Sequence, residues 1–184
     1  MGLHRIEEEF GDQVAISWRA YPLSAEERPG RHFSEHARES WAAAEAATEG
    51  AQFIPWEPEA ELPASSIPAL AASKCALRQG EEPFGRYHLA LLRAYFTERR
   101  DIADWNVLLA LAQESGLDLE RFVQDLAAGE AVAEIATDWR EAQETHGVDK
   151  IPTVLFSDGK GSVRVVGASP IDQYRRLVRW FLST

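Results

Sequence analysis

The apolar residues change their spacing twice along the chain, and this change limits the possible folds more than any other feature. Leu3, Ile6 and Phe10 recur at helical spacing over residues 2–11, and Gly11 closes the run. Val14, Ile16, Trp18 and Ala20 then alternate with Ala15, Ser17 and Arg19, which predicts a strand that Pro22 stops. From about residue 34 to residue 147 the spacing is helical throughout. Thr153–Phe156 and Ser162–Val166 return to strand character on either side of the turn Ser157-Asp158-Gly159-Lys160-Gly161, which predicts a hairpin. Ser169-Pro170 opens a last helix that turns Tyr174, Leu177, Val178 and Phe181 inward. Neither end can bury its strands alone, so the two ends are expected to share one sheet. The expected fold is therefore α/β, with residues 1–31 and 148–184 forming one domain around an all-helical insertion, residues 32–147.

Within the insertion the caps and stripes are legible. Ser34 is placed to cap a helix running through Trp41 towards Gly50. After the prolines at 55, 58 and 63, Ser66 is placed to cap the next helix, with Pro68 in its first turn and Gly80 past its end. Phe84, Tyr87, His88, Leu91 and Tyr95 make one stripe, and Ile102, Trp105, Leu108, Leu109 and Ala112 another. Asp118 caps a short helix carrying Leu119, Phe122, Val123 and Leu126, and Val132, Ile135, Trp139 and Ala142 line the last helix of the run. Trp41, Trp105 and Trp139 are accordingly assigned to the core, and Trp56 to a groove between the two parts.

Charge and cysteine content exclude several classes of function. The net charge of −11 repels phosphate backbones and argues against nucleic acid as a partner. No apolar run is long enough to span a bilayer. Cys75 is the only cysteine, so the chain is neither a disulfide scaffold nor a cysteine-rich zinc module. Met1-Gly2-Leu3-His4 leads into an amphipathic helix rather than an apolar leader, which favours the cytoplasm.

Three blocks carry a resemblance to a known family. They are Asp149-Lys150-Ile151-Pro152-Thr153-Val154-Leu155-Phe156, Val165-Val166-Gly167-Ala168-Ser169-Pro170, and Ala94-Tyr95-Phe96-Thr97-Glu98-Arg99-Arg100-Asp101-Ile102 with its continuation from Leu108 to Asp118. In order and spacing they resemble the DsbA-like branch of the thioredoxin superfamily, in particular the bacterial FrnE-like oxidoreductases. The resemblance implies a thioredoxin-like sheet with a large helical insertion and a cis-proline at Pro152. It also implies that Ile151, Pro152 and Thr153 contact an extended substrate, a thiol- or disulfide-containing protein or peptide, or glutathione. In that family a first strand ends in Cys-x-x-Cys and a helix follows. Met1-Gly2-Leu3-His4-Arg5-Ile6-Glu7 is similar to the part of that helix just after the cysteines. The first strand and the catalytic pair are therefore expected upstream of this sequence, and no catalytic residue is assigned within it.

Dithiol exchange needs an attacking thiolate and a second thiol to resolve the mixed disulfide. Cys75 lies two turns into an apolar helix, on the face of Ile67 and Ala71, and reads as a small core residue. His32 and His36 are four apart but lack a third ligand, so no metal is assigned; no cofactor is assigned either. His4 reads as a solvated helix residue and His88 as a core or interface residue. Two other functions remain open: a glutathione-dependent isomerase or transferase of the kappa type, and a degenerate thioredoxin-fold protein that binds partners without redox chemistry.

Overall fold

The computed structural model describes residues 2–23, 26–47 and 50–183. Helix α1 spans Gly2–Phe10 and runs into a single 3-10 turn, Gly11–Gln13. The helical part comprises α2 (Glu35–Ala47), α3 (Ile67–Leu77), α4 (Glu81–Phe96), α5 (Trp105–Glu114), α6 (Leu119–Ala128) and α7 (Glu130–Glu144). The chain ends in β1 (Thr153–Ser157), β2 (Ser162–Val166) and α8 (Ile171–Leu182).

Helix α3 is the hub of the larger core. Alanine and straight-chain residues favour the helix, and Pro68 is tolerated in the first turn, where its missing N–H costs nothing. Its residues are small: Ala69, Ala71, Ala72, Ser73, Cys75 and Ala76 are all buried. They let α4, α5, α6 and α7 approach its axis on several sides. Tyr87, Leu91, Leu108, Leu111, Phe122 and Ile135 fill the space between. The Ser73 hydroxyl is fully buried and donates to the Ala69 carbonyl at 2.9 Å.

A second, smaller core joins the ends of the chain. β1 and β2 pair antiparallel from Thr153↔Val166 to Ser157↔Ser162. That register puts Val154, Phe156, Val163 and Val165 on one face of the hairpin. Ile6 from α1 and Tyr174 and Val178 from α8 are buried there with Val165, and Leu3, Phe10, Val154 and Phe156 pack around them. On the outside, Glu9 ties α1 to α8 through Arg175 at 2.6 Å and Arg179 at 3.1 Å.

The strand expected at Val14–Ala20 does not form: the segment is extended, but no strand pairs with it among the described residues. Its alternation has a different cause. Val14 packs on the smaller core, whereas Trp18 and Ala20 pack on the larger one. A ladder needs a neighbouring backbone, and the Ala20 N–H bonds to the Asp138 carboxylate instead, at 2.7 Å. The sheet is therefore the two-stranded hairpin alone among the described residues.

Three other local expectations also need correction. Ser66 occupies the N-cap position of α3 without a side-chain cap bond; the Ser65 hydroxyl accepts from the Ile67 N–H at 3.1 Å instead. Trp105 and Trp139 are not core residues, being 47% and 40% exposed. Trp105 is the first residue of α5, ahead of the turn that Leu108 and Leu111 bury. In α7 the buried line runs Ala131, Ile135, Asp138, because Asp138 is drawn inward by Lys74. Trp56 lines no groove: it is buried, 5.7 Å from Tyr95 between ring centroids. The remaining tryptophan of that trio, Trp41, is half-buried among Phe33, Phe53, Tyr95 and Phe96 and holds α2 on the body.

The caps at 34 and 118 form as expected. The Ser34 hydroxyl accepts from the Ala37 N–H at 3.1 Å, and the Asp118 carboxylate accepts from the Arg121 N–H at 3.1 Å. Replacing Asp118 with alanine leaves an orphan N–H at the start of α6 and should lower stability by about 1 kcal/mol. Urea unfolding of the wild type and D118A measures this directly; coincident midpoints would show that the cap contributes nothing.

Candidate functional site

The loop from α7 into β1 is fixed from several sides. The Val148 N–H donates to the Ala142 carbonyl at 2.8 Å, which closes the end of α7. Gly147 turns the chain with φ of +58°, and a Cβ there would lie 3.2 Å from the Arg164 guanidinium. Arg164, reaching across from β2, donates to the carbonyls of His146 at 2.6 Å and Gly147 at 2.7 Å. A cation there also suits the negative end of the helix dipole. The Tyr21 hydroxyl donates to the Val148 carbonyl at 3.4 Å, so the segment after the extended run also holds this loop.

The Ile151–Pro152 bond is cis, in keeping with the expectation from sequence. The Pro152 carbonyl accepts from the Gly167 N–H at 2.8 Å, and the Thr153 hydroxyl donates to the Lys150 carbonyl at 2.5 Å. The loop is thus anchored at both ends while its middle faces solvent. Ile151 is 39% exposed, Pro152 is exposed and Thr153 is half-buried. Leu155 and Val166, on the outer face of the hairpin, are exposed as well. In the register of the hairpin they are diagonal neighbours, so Ile151, Leu155 and Val166 present apolar surface beside the edge of β1 that β2 leaves open.

Cys75 is elsewhere and sealed. Its side chain is fully buried in α3. Burial pushes its pKa up to about 11, outweighing the nearby Arg78, which pulls the other way. At neutral pH it holds no thiolate and has no second sulfur to exchange with.

A small aromatic group lies where the extended segment meets α4. Trp18, Phe84 and His88 pack with ring centroids 5.1–5.5 Å apart. The buried Nδ1 of His88 has no hydrogen-bond partner among the described residues. Burial lowers the His88 pKa to about 4. His88 is thus a neutral core imidazole.

Of the other histidines, His146 lies at the start of the loop, where its carbonyl accepts from Arg164. His4 is exposed beside Glu7 and Glu8. His32 lies 3.1 Å from the Ala60 carbonyl, outside α2, while His36 is in the first turn of α2. No group of three or more His, Cys, Asp or Glu side chains that could hold a metal occurs among the described residues. No helix among them is long and apolar enough to cross a membrane.

Two features escaped the sequence reading. Lys74 and Asp138 form a buried ion pair at 2.6 Å. A lone lysine inside the apolar run Ile67–Leu77 was the available signal, since a buried ammonium needs a carboxylate partner. The role of Arg164 as the cap of α7 had no signal in sequence, because it depends on the hairpin folding back.

Comparisons with known proteins agree with this architecture. A thioredoxin family model matches residues 42–177. The ClpXP adapter protein SpxH of Bacillus subtilis is 31% identical over 124 residues, covering 65% of this chain and 41% of the relative. Its counterpart in Bacillus cereus is 31% identical over 122 residues, covering 63% and 40%. The chain therefore spans about two fifths of the length of these curated relatives. Among solved structures, a Nitrosomonas europaea protein provisionally described as a protein disulfide isomerase superposes over 99% of this chain and 88% of its own, with a TM-score of 0.76 and 18% identity. The cytosolic disulfide reductase DsbM from Pseudomonas aeruginosa superposes over 69% of this chain and 62% of its own, with a TM-score of 0.55 and 25% identity.

Two measurements test the chemistry of these side chains. A thiol reagent at neutral pH should label Cys75 only when the chain is unfolded; labelling of the native protein as fast as a free thiol would contradict its burial. His88 binds a proton in the unfolded chain below its ordinary pKa near 6.5 but resists one in the folded chain down to about 4. Its contribution is therefore complete above about pH 6.5 and is lost as the pH falls towards 4. H88Q should flatten the stability profile between pH 6.5 and 5, seen by urea unfolding at each pH; parallel profiles would show that His88 titrates normally.

Proposed function

The chain is a DsbA-like member of the thioredoxin family, matched over residues 42–177, and from that premise we propose that it is the polypeptide-holding part of a thiol–disulfide oxidoreductase whose exchanging cysteine pair comes from outside these 184 residues. The observation that carries this reading is the contrast between two places. The Ile151–Thr153 loop is anchored by hydrogen bonds and exposed, while the one cysteine is sealed in a helical core.

An extended peptide laid across the exposed loop would gain side-chain contacts from Ile151 and Leu155. Ile151, Pro152 and Thr153 are the residues we assign to substrate contact. The partner is a thiol- or disulfide-containing protein or peptide, with glutathione as the small-molecule alternative. Residues 1–31 with 148–184 would act as one unit and residues 32–147 as the other; the smaller core of α1, the hairpin and α8 supports that division, while Trp18 and Ala20 cross it to pack on the larger core. The cytoplasm is the proposed location, supported by the cytosolic reductase among the structural neighbours.

A second reading is an adapter that binds protein partners without redox chemistry. The adapter proteins among the relatives and the inert state of Cys75 favour it.

Insulin reduction by dithiothreitol should run at the uncatalysed rate in the presence of residues 1–184. Catalysis would refute the assignment of the chemistry to an external pair. Ile151→Asp should weaken binding of an extended peptide by about tenfold, the scale of one buried apolar contact of roughly 1.4 kcal/mol. Unchanged affinity in I151D would remove the loop from the binding site.

A further inference from the structure

The exposed hairpin face is one candidate for a further role, but it belongs to the site already described. The apolar side chains of Trp105, Val123 and Trp139 lie open on the helical body, and nothing in the structure shows what covers them. The buried junction between the extended segment and the helical body carries more.

There a single carboxylate gathers three groups from two distant parts of the chain. Asp138 of α7 accepts from Lys74 of α3 at 2.6 Å and from the Ala20 N–H at 2.7 Å, both on its Oδ2 atom. Its other oxygen lies 3.9 Å from the Arg19 guanidinium. Lys74 and Asp138 are 7% and 8% exposed. The Lys74 ammonium also sits 5.5 Å from the centre of the Trp18 ring, so it meets the same segment a second time.

Two further facts define this junction. The run 14–20 makes no ladder hydrogen bonds among the described residues, so side-chain packing and the Asp138 carboxylate hold it instead. It also runs from α1, which belongs to the smaller core, towards the segments of the larger one, which the α7–β1 loop joins to the smaller core a second time. Helix–helix packing cannot hold it, because it contains no helix.

We propose that the Lys74–Asp138 pair is a conformational latch: it fastens the Trp18–Ala20 strap to the helical body and thereby sets how the smaller core is carried on the larger. A buried charge pair suits this role better than an apolar contact. An apolar contact can slide, whereas separating two buried charges leaves each without its partner. The strap is therefore either fully seated or fully released. A released strap exposes the Arg19–Ala20 bond and frees the Tyr21 hydroxyl that holds the Val148 carbonyl of the substrate-facing loop.

The test uses the full chain with three variants: D138N, K74M and the double variant K74M/D138N. D138N keeps an oxygen for the Ala20 N–H but strands the ammonium, and K74M strands the carboxylate. The double variant removes both charges and keeps the acceptor. Two quantities are read: hydrogen exchange at the Ala20 amide, and the rate at which trypsin yields the fragment ending at Arg19, followed by mass spectrometry. Core amides such as Leu108 and Phe122 report global unfolding in the same samples.

The latch predicts that D138N and K74M each raise Ala20 exchange and Arg19 cleavage at least tenfold while core amides change less. It also predicts that the double variant returns to within about threefold of wild type. The proposal is overturned if Ala20 exchange rises only in step with the core amides, because the pair would then support general stability alone. It is equally overturned if the double variant stays as labile as the single ones, since the charges would not be acting as a pair. Should a single variant fail to fold, the comparison of the double variant with wild type still decides the second point.

Discussion

Helix α3 must be buried on several sides at once, and the rest of the helical body follows from that requirement. Its surface is smooth because its side chains are small, so α4 to α7 can pack close to its axis. Large residues then have to come from those neighbours, and they do: Tyr87, Leu108, Phe122 and Ile135 each point at α3 from a different helix. Cys75 belongs to this arrangement. In the middle of α3 a thiol is valued as a compact apolar group, and the burial that makes it useful there removes its reactivity. In this chain the packing of the core and the sealing of Cys75 are therefore two consequences of one helix.

The Ile151–Thr153 loop rests on a different principle. Its position is set by hydrogen bonds from the backbone, two hydroxyls and one guanidinium, together with the burial of Val148. Arg164 joins the hairpin to the end of α7, Gly167 holds Pro152, and Tyr21 holds Val148. Ile151 can then remain exposed without loosening the loop. A binding surface gains from this, because little conformational entropy is left to lose when a partner arrives.

Much of this was legible in sequence, and the failures have physical causes. The hairpin, the last helix, the cap at Asp118 and the cis bond before Pro152 are written in local patterns or in the family resemblance, and all are present. The strand expected at Val14–Ala20 was not, because alternation reports which sides are buried and not whether a neighbouring backbone exists to pair with. Trp105 and Trp139 were placed in the core because apolar spacing alone sets no helix phase. In α7 the phase is decided by Asp138, whose partner Lys74 lies far away in sequence. Contacts made between distant segments, such as Arg164 with α7 or Lys74 with Asp138, leave almost no local trace.

The central claim is that these residues hold a polypeptide while leaving the redox chemistry to groups outside them. Its most direct test is a binding titration of a fluorescent extended peptide with wild-type chain and C75A, each under reducing and oxidising conditions. The account predicts four superimposable isotherms, because Cys75 is sealed and contributes no bond to the partner. Binding that strengthens on oxidation in the wild type but not in C75A would contradict it, by showing that the buried cysteine takes part after all.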